Sequence, residues 1–180
     1  FKDDRARVTH TRIRNIGKRS ISQIQGDSHL SPYFGNRVQT QGIVTSVATI
    51  DDSYPGGKVF YIQSQNGDNN PKTSEAIKVY SPTALDIQVG DLIELTGTVY
   101  EESNHIENGL TGTSIRDIIS YKVLKTKLPL PAPVEIGTKE RPIPKKYYST
   151  YNGNLNFKPT LNLKDGLDFW ESLEGMRVTI

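Results

Sequence analysis

The chain has 180 residues, 34% of them hydrophobic and 23% charged, with a formal net charge of +2. That length supports one domain with appendages, or two small ones, without a disulfide or metal staple. Cysteine is absent, which excludes a disulfide framework, a thiol nucleophile and cysteine-ligated zinc or iron, and no segment approaches the roughly 20 apolar residues that cross a bilayer.

Val, Ile and Thr number 11, 17 and 16 against 5 Ala and 13 Leu, a balance that favours pleated, half-buried surfaces over helices. Charge is unevenly spread. Residues 1–19 carry seven basic and two acidic side chains, and so do residues 122–146, whereas residues 27–107 carry four basic and eleven acidic ones. Basic segments flanking an acidic middle suit a polyanion along one side, although a charge run is more often a solvated surface.

Residues 1–19 read as a basic arm or linker. Ser20 to Gln25 reads as a short strand, from Ile21 and Ile24 among polar neighbours, followed by a Gly26-Asp27-Ser28 turn. A long strand is expected over 37–50, with Gly42 marking a bulge or coil. The turn at 51–57 precedes a strand from Lys58 to Gln65, with Phe60 and Ile62 inward and Tyr61 and Gln63 outward. After a polar loop, Glu75 to Tyr80 forms a strand with Ile77 and Val79 inward, Lys78 and Tyr80 outward. The connection beyond Ser81-Pro82 has room for one helical turn over Thr83 to Ile87. Leu92 to Glu101 alternates as a strand, 103–112 is a loop, and 115–126 holds a fifth strand interrupted near Ser120. Leu128 to Pro133 is extended by its prolines and closes the barrel.

Residues 137–163 form an irregular Pro/Lys/Asn/Tyr-rich insert. Over 164–180, Asp165 caps a short helix bearing Leu167, Phe169, Trp170 and Leu173, with Trp170 expected as the docking anchor, before the start of a further strand. Phe1 is no initiator and the chain stops at an opening strand, so it reads as a piece of something longer. Five strands with a glycine-coiled first strand predict an all-β, five-stranded Greek-key barrel of the oligonucleotide/oligosaccharide-binding (OB) type over 20–136, with a seven-stranded sandwich as the rival.

No catalytic site assembles from the sequence. His10, His29 and His105 fall on unrelated loops, and Asp27-Ser28-His29 reads as a polar turn, since consecutive residues do not adopt triad geometry. Glu101 and Glu102 are strand neighbours that point to opposite faces. The oxygen-rich loop Asn66-Gly67-Asp68-Asn69-Asn70, with Thr73 and Glu75, gives a candidate calcium site at Asn66, Asp68, Asn70 and Glu75, but Pro71 and Ile77 break the helix-loop-helix calcium pattern. An ordinary polar turn explains the loop equally well.

Several blocks in order resemble a family: Ile21-Ser22-Gln23-Ile24-Gln25-Gly26, Gly42-Ile43-Val44-Thr45, Phe60-Tyr61-Ile62-Gln63, Val89-Gly90-Asp91-Leu92-Ile93, Leu95-Thr96-Gly97-Thr98-Val99, Leu130-Pro131-Ala132-Pro133-Val134, and Glu174-Gly175-Met176 with Val178-Thr179-Ile180. They resemble the OB-fold domain of large secreted or wall-bound bacterial nucleases of the endonuclease/exonuclease/phosphatase type, over roughly 20–136 and 165–180. The resemblance implies a non-catalytic module that positions single- or double-stranded DNA, with RNA also open. Its partner would be a metal-dependent catalytic domain of the same chain, outside the cell or in its envelope. The alternative is a structural module that docks or anchors that domain without touching nucleic acid. In an OB barrel, ligands cross the second and third strands and the loops beside them. The candidate contacts are therefore Tyr61, Gln63, Lys78 and Tyr80 on the strands, with Tyr54, Lys58, Asn104 and His105 at the flanking loops.

Overall fold

The computed structural model describes residues 13–49, 57–103, 110–148 and 160–180. Among these described residues, eight strands and two short helices follow in the order β1 (Asn15–Lys18), α1 (Ile21–Gln25), β2 (Arg37–Thr49), β3 (Lys58–Gln63), β4 (Ala76–Ser81), β5 (Leu92–Ser103), β6 (Thr111–Lys125), β7 (Val134–Glu135), α2 (Gly166–Glu171) and β8 (Val178–Thr179). β2, β3 and β4 form an antiparallel meander, β4 pairs in parallel with β6, β6 pairs antiparallel with β5, and β5 returns to β2. The circuit β2-β3-β4-β6-β5-β2 closes one five-stranded OB-type barrel, not two stacked sheets.

β2 is long because it serves both halves of the barrel. Residues 37–43 pair with β5 and residues 43–49 with β3, so the strand must coil where it changes partner. Gly42 sits at that changeover. A Cβ there would lie 3.0 Å from Ile21 Cδ1 and 3.1 Å from Ile62 Cβ, so the bare backbone lets α1 and β3 close on the corner. The expected interruption of β6 falls between Arg116 and Ser120, where the β5 register slips and Asp117 adopts φ 48°.

Inside the barrel, Val38, Val44, Phe60, Ile62, Ile77, Val79, Ile93, Leu95, Val99 and Ile115 are buried. Ile21 and Ile24 of α1 join them. Over 20–25 the chain is thus a capped helix, Ile21–Gln25, and not the expected strand. Ser20 Oγ accepts from the Gln23 amide at 3.2 Å and Gln23 Oε1 from the Ser20 amide at 3.1 Å, a capping box that satisfies two otherwise unpaired donors. The three-residue spacing of the isoleucines belongs to one helical face. Thr83 to Ile87, where one helical turn had room, is non-helical, and β1, inside the basic stretch, adds to β2 in parallel.

A second apolar cluster joins Ile136, Phe169 and Leu173 with Val134 and Met176, and β7 pairs in parallel with β8 beside it. Asp165 is the N-cap of α2, yet its Oδ2 accepts from Asn162 Nδ2 at 3.1 Å instead of capping an amide. The anchor of this module is Phe169, 1% exposed, and not Trp170, which is 48% exposed and meets Phe169 edge-on. Adjacent helical positions lie about 100° apart, so one of two neighbouring aromatics must turn away from the core. Among the described residues no helix is long and apolar enough to cross a membrane.

Candidate functional site

Alternation along β3 and β4 places Val59, Tyr61 and Gln63 on the outer face opposite Tyr80, Lys78 and Ala76. Tyr61, Lys78 and Tyr80 are half-buried there, and so is Lys58 at the start of β3. Tyr54, Asn104 and His105 lie outside the described residues.

The parallel pairing of β4 with β6 brings further residues onto this face. Lys78 pairs with Ser114, which fixes Arg116 outward on β6, and Ser114 pairs with Tyr100, which fixes Tyr100 and Glu102 outward on β5. The Arg116 guanidinium carbon lies 4.9 Å from the Tyr80 ring centroid and 5.8 Å from that of Tyr100. Glu102 ties the cations together, with Lys78 Nζ at 2.8 Å and Arg116 Nη2 at 2.7 Å. Burial alone would raise the Glu102 pKa, but hydrogen bonds from Lys78, Ser114 and Arg116 outweigh it and hold the carboxyl below its usual range. Tyr100 donates to Asp117 Oδ2 at 2.6 Å, which raises its phenol pKa and joins the β6 bulge to the cluster. This half of the face is a cation between two aromatic rings, next to a second cation. Tyr100 and Arg116 escaped the sequence reading, which took only the second and third barrel strands. Their signal was local, since each directly follows an inward residue, Val99 or Ile115.

The other half of the face is covered. Gln63 is outward from the barrel but only 2% exposed, because its Oε1 accepts from the Arg177 amide at 3.0 Å. Gly175, at φ +69°, lies so close that a Cβ on it would come within 2.8 Å of Tyr61 Cδ1. Ser74 Oγ donates to the Glu174 carbonyl at 2.7 Å, and the Thr113 amide donates to Glu174 Oε2 at 3.3 Å. The stretch 174–177 therefore lies across the ends of β3, β4 and β6.

The oxygen-rich loop uses its own donors. Asp68 Oδ1 accepts from the Asn70 amide at 2.7 Å, Thr73 Oγ1 bonds both Asp68 oxygens, and Glu75 Oε1 accepts from the Asp68 amide at 2.6 Å. Asn70 Oδ1 accepts from the Lys72 amide, and Asn66 is exposed beside them. A cation here would have to displace these donors. Among the described residues no group of three or more His, Cys, Asp or Glu is arranged to hold a metal ion.

His29, expected in a polar turn, is instead fully buried between the barrel and α2. Its Nε2 lies 2.8 Å from Asp168 Oδ1 and its Nδ1 3.2 Å from Glu171 Oε2. Burial lowers the imidazole pKa, but hydrogen bonds and charge from Glu171 and Asp168 prevail and raise it. Glu101 is half-buried, accepting from the Ser31 amide, Thr111 Oγ1 and Thr113 Oγ1 at 2.7, 2.8 and 3.1 Å. Desolvation raises the pKa of Glu101 and of Glu171, and, with the nearby Glu171 charge, pushes Glu174 up to about 8. Glu101 and Glu102 thus diverge to opposite faces, as their adjacency predicts, and Glu101 meets acidic residues far along the chain. The imidazole held between two carboxylates has the geometry of a structural clamp.

The model of a domain of unknown function (DUF8508) matches residues 135–180, the stretch that begins at the second residue of β7 and contains α2 and β8. Among curated proteins, none matches the sequence. Among solved structures, a chain from the crystal structure of the S. pombe Stn1–Ten1 complex aligns over 59% of this chain and 76% of its own, at 13% identity and a TM-score of 0.38.

Proposed function

We propose that the barrel is a non-catalytic module that binds single-stranded nucleic acid across the open half of its outer face. The observation that carries this is the stacking of Arg116 between Tyr80 and Tyr100 beside Lys78. Aromatic faces and a guanidinium plane stack bases of any sequence, and lysine meets the backbone phosphates. In the exported-nuclease setting that the sequence resembles, the module holds substrate for a metal-dependent catalytic domain elsewhere in the same chain. Fluorescence-anisotropy titration of oligothymidylate and of duplex DNA at two salt concentrations tests the reading. Affinity for the single strand should fall with salt, and Tyr80→Ala, Tyr100→Ala and Arg116→Ala should each weaken it by about 1–3 kcal/mol. Folded variants that bind like the parent would refute it.

One observation favours a second reading, a protein-docking face. Glu102 pairs with both Lys78 and Arg116 and offsets one of their two charges, which lowers the attraction for a polyanion. The same titration separates the two, because a docking face leaves oligothymidylate unbound even at low salt.

A further inference from the structure

The barrel core and the cluster of Ile136, Phe169 and Leu173 are separate apolar cores, and the seam that joins their elements is lined with ionisable groups. From the barrel side it receives His29 and Gln25 around α1, Glu101 of β5, Thr111 and Thr113 of β6, and Ser74 and Glu75 before β4. From the other side come Asp168 and Glu171 of α2 and Glu174 in the following turn. Arg141 and Arg177 flank the seam. Arg141 Nη2 donates to Ser172 Oγ at 2.9 Å and to the Pro71 carbonyl, and Arg177 donates to the Pro131 carbonyl. The basic group within the seam is His29, facing Asp168 and Glu171 directly, and their hydrogen bonds and charge raise its pKa.

We infer that the C-terminal module is a latch, docked on the barrel through this ionisable seam, which covers the Tyr61–Gln63 half of the outer face and releases it when the seam loses protons. The covered residues adjoin the open ones, since Tyr61 pairs directly with Lys78. Release therefore lengthens the aromatic platform from Tyr80 and Tyr100 to Tyr61, and this part of the inference rests on the nucleic-acid reading above. The physical cause is charge balance. A protonated Glu174 adds no charge to the seam, and a charged His29 offsets one of the carboxylates it faces. Above the Glu174 pKa of about 8, its carboxylate adds a negative charge beside Glu171 and Glu101, and like charges repel strongly in a poorly hydrated site.

Amide hydrogen exchange of the 180-residue chain at pH 6 and pH 9, corrected for intrinsic exchange rates, tests the latch. Amides of 169–176 should lose protection by about tenfold or more relative to those of β2 and β3, one pH unit past a titration being worth about tenfold. Glu174→Gln should keep the module protected at pH 9. Gly175→Ala, which drives a Cβ into Tyr61 from a left-handed backbone, should release it already at pH 6. Unchanged relative protection in the parent, or the same pH response in Glu174→Gln, overturns the latch. Oligothymidylate titration at pH 6 gives the second readout. Gly175→Ala should bind about 5- to 150-fold more tightly than the parent, the worth of one further stacked base. Release by exchange with unchanged affinity overturns the covering role. Absence of binding by both proteins instead refutes the nucleic-acid reading, and the exchange data alone then decide the latch.

Discussion

Replacing Glu174 with glutamine removes one proton-binding site and little else, since the amide keeps the size of the side chain and an oxygen to accept from Thr113. The Glu174 carboxyl sits at about 8 in the folded chain against an ordinary value of 4.5. Between those two values the unfolded chain releases a proton that the folded chain retains, so stability falls as pH rises, by about 1.4 kcal/mol for each unit. The loss reaches about 5 kcal/mol near pH 8 and then levels off, because both states are ionised beyond it. Glutamine lacks this term. His29, whose pKa is also raised, weakens folding in the same direction as it loses its proton, and it does so in both proteins. Urea titrations at pH 5, 6.5 and 8, followed by the emission of Trp170 in α2, measure the difference. At pH 5 the two proteins should agree to within about 1 kcal/mol, and at pH 8 Glu174→Gln should be the more stable by several kcal/mol. Parallel curves for parent and variant, or a parent whose midpoint is flat from pH 5 to 8, would refute the reasoning.

Other substitutions test the packing. Phe169→Ala should cost about 3–5 kcal/mol, as expected for a buried aromatic, whereas Trp170→Ala should cost under about 1 kcal/mol; equal losses in thermal denaturation would restore Trp170 as the anchor. Ser20→Ala breaks the capping box of α1 and should lower stability by about 1 kcal/mol, read as a shift in the urea midpoint. Lys78→Ala should reduce the salt slope of oligonucleotide binding by about one unit, and an unchanged slope places Lys78 outside the contact. Purified chain incubated with plasmid and magnesium, manganese or calcium should leave the DNA intact; metal-dependent cutting that copurifies with it contradicts the non-catalytic reading.

The barrel was legible in the sequence because its signals are local. Period-two alternation marked Phe60 and Ile62 or Ile77 and Val79 as inward, and Gly42 marked the corner. The stretch Ser20 to Gln25 was misread because two isoleucines three apart suit a helical face better than a strand, and the capping pair of Ser20 and Gln23 was overlooked. The open half of the candidate site was half legible. Tyr80 and Lys78 follow from alternation, and so does the outward turn of Arg116 and Tyr100, but that the four meet on one face depends on the parallel pairing of β4 with β6. His29 carried no local signal at all. Its partners Asp168 and Glu171 stand at the far end of the chain, and only the docking of α2 turns a residue in a polar turn into a buried imidazole between two carboxylates.

The closure of β5 onto β2 also governs how the barrel is made. Arg37 meets Thr98 and Ile43 meets Leu92, so the strand that opens the barrel waits for one that emerges long after it. Loop-closure entropy must be met before these contacts repay it, and folds dominated by such distant pairings reach the native state slowly. On the ribosome, β2, β3 and β4 can pair as a meander while the β5 edge of β2 stays exposed. That unpaired edge, residues 37–43, makes the nascent meander the species most prone to wrong association until β5 arrives.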